Sequence, residues 1–186
     1  MSPARAIPSL LPLLLLAACT VEVDGAPKPA YLDESEPNDD PAYAPWFGVL
    51  SPGTQLAIAG NVQQYGPDEF DGFAFTAHGP CTIELALEAP DPWTDLDLCV
   101  HDPVTGETLV CYDGVANPEY GAVSFADAQR DLQVVVYSSH GDGSYVLRVT
   151  VHAGYSALAA PPLSAPTAKA RAWAARSAPA AVDGAP

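Results

Sequence analysis

Short runs of alternating apolar and polar residues dominate the middle of this chain. Between residues 81 and 88, Ile83, Leu85 and Leu87 fall on one face, while Glu84 and Glu88 fall on the other. A period of two is typical of a strand with one buried face. Short runs of this kind, bounded by turn-forming residues, predict eight strands, at 55–62, 72–76, 81–88, 95–101, 108–112, 122–125, 132–138 and 144–151.

Turn-forming residues separate these runs, and no convincing amphipathic helix lies between them. About eight strands in roughly 120 residues predict an all-β fold, an antiparallel β-sandwich of jelly-roll-like form. The sequence His140-Gly141-Asp142-Gly143-Ser144 predicts a hairpin turn between the last two strands. We therefore expect one sandwich domain at 33–152.

An apolar stretch near the N-terminus indicates export. Arg5 precedes the run from Ile7 to Leu16, which is too short to span a membrane as a mature helix. The sequence Leu16-Ala17-Ala18-Cys19 resembles a bacterial lipobox, whose cysteine is lipidated and becomes the new N-terminus. We expect a signal peptide at 1–18 and lipidation of Cys19, with a plain cleaved signal as the alternative. The acyl chains would hold the protein to the bacterial envelope, at the outer membrane or cell surface in a Gram-negative cell.

The regions on either side of the domain have compositions that disfavour a packed core. Residues 19–32 contain Pro27 and Pro29 and no periodicity, which favours a tether between the lipid and the domain. Residues 153–186 are dominated by Ala, Pro and Ser, so we predict a disordered tail. A short helix around residues 169–176 is the alternative, because alanine favours helix.

Three cysteines remain after Cys19. Cys99 and Cys111 lie on either side of the turn at 102–107, between two apolar runs, so they are expected to face each other across a hairpin. We predict a disulfide between them, since an exported protein reaches an oxidising compartment. Cys81 shares its parity with Ile83, which places it in the core, although a bridge to Cys81 remains open.

The charge is strongly negative, formally −16 over the whole chain. Between Tyr31 and His152 there are 20 acidic residues against Arg130 and Arg148, a net charge of −18. Nucleic acid and anionic lipid headgroups are therefore poor partners, whereas cations or a basic partner are compatible with this charge. The sequence carries no signal for an oligomeric state.

Two acidic clusters flank the first predicted strands. They are Glu34-Ser35-Glu36-Pro37-Asn38-Asp39-Asp40 and Asp68-Glu69-Phe70-Asp71. Calcium takes six to eight oxygen ligands from a flexible shell, and these clusters supply many such oxygens. We predict that the two clusters meet in space and bind Ca²⁺.

The domain also resembles a known family. Its motifs are the Glu34-to-Asp39 opening, Asp71-Gly72-Phe73-Ala74-Phe75, Asp95-Leu96-Asp97-Leu98 and Gly143-Ser144-Tyr145-Val146-Leu147. Together they are similar to the bacterial pre-peptidase C-terminal domain, a family of non-catalytic β-sandwiches that includes the collagen-binding domains of collagenases. The resemblance implies calcium ligands at Glu34, Glu36, Asn38, Asp39, Asp68 and Asp71.

No catalytic motif appears in the chain. Serine-hydrolase, zinc-protease, phosphate-binding and EF-hand patterns are all missing, and the four histidines lack a second ligand at metal spacing. We therefore predict a non-enzymatic module that binds protein or polysaccharide, with Trp93, Tyr112, Tyr120 and Tyr137 as candidate contacts. The alternative is an accessory, chaperone-like or inhibitory partner of an exported peptidase or other hydrolase.

Overall fold

The computed structural model describes residues 29–154 and 167–177, so the signal peptide and Cys19 lie outside the described residues. It contains ten strands and one helix within these ranges. They are β1 Ala30–Asp33, β2 Trp46–Leu50, β3 Gln55–Val62, β4 Phe70–Ala77, β5 Cys81–Glu88, β6 Asp95–His101, β7 Thr108–Tyr112, β8 Glu119–Phe125, β9 Arg130–His140, β10 Gly143–Ala153 and α1 Ala168–Ser177.

All eight predicted strands are present. The bounds of β3, β5, β6 and β7 agree with the prediction, and β4, β8, β9 and β10 extend beyond it. The two additional strands, β1 and β2, are short and do not alternate between buried and exposed positions. The folded domain therefore begins at Ala30, within the segment predicted to be a tether.

The strands form two five-stranded sheets. The first sheet has the order β1-β3-β10-β5-β8, and the second has the order β2-β4-β9-β6-β7. Most neighbours are antiparallel, but β1 lies parallel to β3 and β2 lies parallel to β4. The predicted sandwich is thus confirmed, with a parallel pair at one edge of each sheet.

The turn at 140–144 does not form a hairpin. Strand β9 pairs with β4 and β6 in the second sheet, whereas β10 pairs with β3 and β5 in the first. The chain therefore crosses from one sheet to the other at this turn. Gly141 adopts a φ of 78°, in the left-handed region that favours glycine.

The core lies between the sheets and consists of the inward-facing residues of both. Its fully buried members include Ile58, Phe73, Leu85, Val134 and Leu147. Cys81 is buried and unpaired, as predicted. The disulfide between Cys99 and Cys111 is also confirmed, and it joins residues that pair directly across β6 and β7.

The alternative of a short helix around residues 169–176 is confirmed, so the predicted disorder of 153–186 is wrong for residues 168–177. Helix α1 begins after Thr167, whose hydroxyl accepts a hydrogen bond from the Ala170 amide at 3.1 Å, as an N-cap does. Trp173 is fully buried against the outer face of the second sheet. It belongs to a small apolar cluster made of Phe70, Cys99, Cys111, Val135, Tyr137, Ala170 and Trp173.

Candidate metal site

The two acidic clusters meet at one side of the sandwich. The segment after β1 crosses from the first sheet toward β2 at the edge of the second, and it passes β4 on the way. Two of its backbone bonds fix this path: the Glu34 amide donates to Ala59 O at 2.9 Å, and the Gly72 amide donates to Asn38 O at 3.1 Å. Glu34 and the loop behind it are thereby held beside Asp71 of β4.

Five of the six predicted ligands form two overlapping groups. Carboxylate oxygens of Glu34, Glu36 and Asp71 lie within 4.8 Å of one another, and so do those of Glu36, Asp39 and Asp68. Oxygens on opposite sides of one calcium ion are separated by about 5 Å, twice the usual Ca–O distance. Glu36 belongs to both groups and is exposed, so it lies at the mouth of the site.

The sixth predicted ligand, Asn38, joins the cluster through its backbone. Its amide donates a hydrogen bond to Glu36 Oε2 at 2.9 Å. The side chain of Asn38 is fully buried, and neither of its amide atoms has a hydrogen-bond partner within 29–154 and 167–177. A buried polar group without a partner is costly, so this amide is a candidate for contact with a ligand.

Asp71 is the deepest carboxylate of the site. It is fully buried, and its Oδ1 has no hydrogen-bond partner among the described residues. Burial raises the pKa of Asp71 well above its usual range, against the hydrogen bond from Tyr145, and the nearby charge of Glu34 raises it further. A cation at this position would stabilise the ionised form that burial disfavours.

The sequence did not reveal Tyr145 as part of the site. Its hydroxyl lies 2.5 Å from Asp71 Oδ2 and 3.1 Å from Glu34 Oε2. A hydroxyl has one hydrogen, so it donates to only one of these two carboxylates. The available signal was a polar-tipped aromatic in the inward row that continues through Leu147, Val149 and Val151.

Gly60 makes room for this arrangement. It pairs with Tyr145 across the first sheet. A Cβ at residue 60 would lie 2.3 Å from the Tyr145 hydroxyl and 2.4 Å from Glu34 Oε2. Glycine at this position therefore lets the tyrosine and the glutamate approach each other.

Asp68 and Glu36 also have raised pKa values. Burial, followed by the charges of Glu36, Asp39 and Glu34, raises the pKa of Asp68 to about 7. Burial is also the main cause for Glu36, whose pKa is raised despite the hydrogen bond from the Asn38 amide. Like charges are thus held together in a partly desolvated place, which is an arrangement that a divalent cation would stabilise.

These pKa values predict how the metal-free protein responds to pH. Asp68 binds a proton more tightly in the folded protein than in the unfolded chain. The free energy of unfolding therefore falls as the pH rises from the ordinary pKa of an aspartate toward about 7. Asp97, whose pKa burial also raises to about 7, acts in the same direction. Burial lowers the pKa of His101 to about 4, and that effect has the opposite sign but becomes small above about pH 7.5, where the unfolded histidine has also lost its proton.

We therefore expect the melting temperature in EDTA to fall between about pH 6.5 and pH 8. Circular dichroism melts at several pH values would measure the fall. Asp68→Asn should reduce it, because the asparagine does not ionise. A melting temperature that rises over this interval would contradict the assignment of raised pKa values.

His101 of β6 is fully buried. Asp97 shares a face of β6 with His101 and is also buried. The His101 Nδ1 lies 3.2 Å from the Thr108 hydroxyl. Cross-strand from His101, Gln133 donates to Pro41 O at 3.0 Å, which shows that the loop before β2 passes over this face.

Comparison with known proteins found similarities only among solved structures. No protein-family model and no curated protein matches the chain. The structures include the pre-peptidase C-terminal domain of a Bacillus anthracis collagenase, with a TM-score of 0.43 and 14% identity over 58% of this chain and 95% of that one.

A periplasmic inhibitor of g-type lysozyme from Aeromonas hydrophila has a TM-score of 0.40 and 11% identity, over 67% of this chain and 98% of that one. A β-glucosidase from Paenibacillus barengoltzii has a TM-score of 0.31 and 13% identity, over 66% of this chain and 14% of its own length. At such low scores the likenesses carry no argument about function, and membership of the pre-peptidase C-terminal family stays a prediction. Within the described residues, no helix has the length and hydrophobicity needed to cross a membrane.

Proposed function

We propose that this protein is a non-catalytic binding module of the bacterial envelope, lipid-anchored at Cys19 and stabilised by Ca²⁺. The observation that carries the calcium proposal is the convergence of two distant acidic segments on buried oxygens that have no protein partner in the described residues. The anchor is supported by the lipobox-like sequence alone. The alternative, an accessory or inhibitory partner of an exported hydrolase, stays a prediction.

The donor set fits calcium better than other common cations. Glu34, Glu36, Asp39, Asp68 and Asp71 offer hard carboxylate oxygens, and neither histidine nor cysteine belongs to the two groups. Calcium accepts many carboxylates in an irregular shell, whereas magnesium keeps several waters and seldom occupies an all-protein cage. The ion would offset the mutual repulsion of the carboxylates and tie the segment after β1 to β4.

Calcium should therefore raise the melting temperature. At about 100 times its dissociation constant, a ligand that binds only the folded state adds about 2.7 kcal/mol to the free energy of unfolding. Thermal melts of the full chain in EDTA and in calcium would measure the shift. Glu36→Ala should abolish most of it, because Glu36 belongs to both groups.

Glu107→Ala provides the matched control. Glu107 is exposed in the β6–β7 turn and belongs to neither group, so this variant should respond to calcium as the wild type does. Magnesium at the same concentration should give a smaller shift. The proposal fails if calcium does not move the wild-type melting temperature, or if Glu36→Ala responds in full.

A further inference from the structure

One row of paired residues crosses the outer face of the whole first sheet. Tyr31 pairs with Ala57, Ala57 with Arg148, Arg148 with Ala86, and Ala86 with Tyr120. Residues that pair across strands project from the same face of a sheet, so all five side chains share one face. Their chain neighbours on β3, β10 and β5 face the core, which makes this the outer face.

The two ends of this row are exposed aromatic side chains. Tyr31 is 63% exposed and Tyr120 is 68% exposed. The row crosses five strands, and four spacings of about 4.8 Å give a length of about 19 Å. Between the tyrosines, Ala57 is fully buried and Ala86 is half-buried, so neighbouring side chains cover this part of the sheet. An extended molecule that lies over these side chains could contact both rings.

A groove of about 500 Å³ occupies the β10-β5-β8 half of this face. Its floor includes the small side chains of Ala86 and Ala122, and its walls include Tyr120, Arg148 and Glu84. Glu84 is the cross-strand neighbour of Ala122, so a charged side chain lies directly beside one of the small residues of the groove. The groove thus combines Tyr112 and Tyr120 with charged side chains. Of these, Arg148 can donate hydrogen bonds and Glu84 can accept them.

The basic side chains of this face already have acidic neighbours. Arg148 Nη2 lies 3.8 Å from Glu88 Oε2, and His152 Nε2 lies 2.9 Å from Glu84 Oε2. The face therefore offers donors and acceptors without an excess of positive charge. A polyanion would not be attracted to it, particularly because the chain as a whole is strongly acidic.

The same face is poorly suited to a protein partner. Protein interfaces are depleted in glutamate and alanine, whereas Glu84, Ala86 and Ala122 line the groove of this face. Addition of a peptide strand at the β8 edge is also hindered. The Tyr112 hydroxyl accepts from the Ala122 amide at 2.8 Å and donates to the Ala122 carbonyl at 2.5 Å, so it occupies that edge.

We propose that this face binds an uncharged polysaccharide, with one sugar ring stacked on Tyr120. A sugar ring has an apolar face of C–H groups, which packs on an aromatic ring, and a rim of hydroxyls, which hydrogen-bond to charged side chains. Arg148 and Glu84 would contact the hydroxyls, and Tyr31 would contact the chain about 19 Å away. This inference rests on the proposed function as a binding module and names its ligand class.

The test is affinity electrophoresis of the full chain, in calcium, through gels that contain one neutral polysaccharide each: a β-1,3-glucan, a β-1,4-glucan, an α-glucan or a mannan. We expect retardation by at least one of them. Tyr120→Ala should weaken it by about tenfold or more, and Tyr120→Phe should retain it, because stacking needs the ring and not the hydroxyl. Tyr31→Ala should weaken binding to the polymer but not to a short oligosaccharide of the same linkage.

Tyr65→Ala is the matched control, since Tyr65 is 77% exposed and lies outside this row. The proposal is overturned if no polysaccharide retards the wild type, or if Tyr65→Ala and Tyr120→Ala lose retardation equally. The proposal is also overturned if Tyr120→Ala weakens retention on immobilised gelatin but does not weaken retardation by any polysaccharide. The face would then be a protein-binding surface. The calcium-dependent melting shift of Tyr120→Ala should equal that of the wild type, so failure here is distinguishable from failure of the calcium proposal.

Discussion

Replacing Trp173 by alanine should lower the free energy of unfolding by about 3–5 kcal/mol, the usual cost of removing a buried tryptophan. The side chain is fully buried and its ring centroid lies 5.7 Å from that of Phe70. Thermal or urea unfolding would measure the loss, with a fall in melting temperature on the order of 10 °C. The C-terminal helix would then lose its main attachment to the sheet.

Trp93→Ala is the matched control for this prediction, because Trp93 is 82% exposed. The same substitution there should cost little. If Trp173→Ala lowers the free energy of unfolding as little as Trp93→Ala does, helix α1 does not contribute to the stability of the sandwich. Gly72→Ala gives an independent test, since a Cβ at residue 72 would lie 2.3 Å from Trp173 Cη2 and would displace the ring.

Helix α1 is also attached near the acidic site. The Arg176 guanidinium donates to Asp39 O at 2.8 Å, and it lies 4.8 Å from the centroid of the Phe70 ring. Trp173 covers Gly72, the residue after Asp71. Loss of the helix should therefore loosen the segment that holds the carboxylates, as well as remove apolar contacts.

The sequence was sufficient for the strands because their pattern is a local property. Alternation of apolar and polar residues is required wherever one face is buried, and the predicted bounds of β3, β5, β6 and β7 agree with the structure. Strand β1 lacks that pattern, since three of its four residues are exposed. It becomes a strand through backbone pairing with β3, and that partner is not visible in its own sequence.

The turn at 140–144 shows a second limit. Its glycines indicate a reversal of the chain, but a reversal can join neighbours in one sheet or carry the chain to the opposite sheet. The choice depends on which strands pair with β9 and β10, and those partners lie far away in the sequence. Local turn chemistry therefore predicted the position of the turn but not the topology.

The tail shows why composition alone could not decide between disorder and a helix. Alanine-rich residues 168–177 offer little apolar surface, and an isolated helix of this length is marginal in water. One tryptophan changes this balance, because the outer face of the second sheet presents Phe70, Val135 and Tyr137 to it. In the acidic site, by contrast, the chemistry of the two clusters predicted that they meet, and the family resemblance named Glu36 and Asp71, whose carboxylates do lie close together.

Replacing both Cys99 and Cys111 by alanine should lower the free energy of unfolding by about 3 kcal/mol, the loop-closure effect of a crosslink across a separation of 12 residues. Thermal melts would measure the loss, and a reductant should lower the melting temperature of the wild type but not of the double variant. Cys81→Ala controls for the loss of a buried sulfur without a crosslink.

The predicted contribution of the disulfide to stability is contradicted if the double variant is no less stable than Cys81→Ala. Its effect should also depend on the helix, because both cysteines belong to the same cluster as Trp173. Residues that share a packed cluster are energetically coupled. Once Trp173→Ala has exposed this face, the two cysteines bury less apolar surface, so the triple variant should lose less stability than the sum of the separate losses.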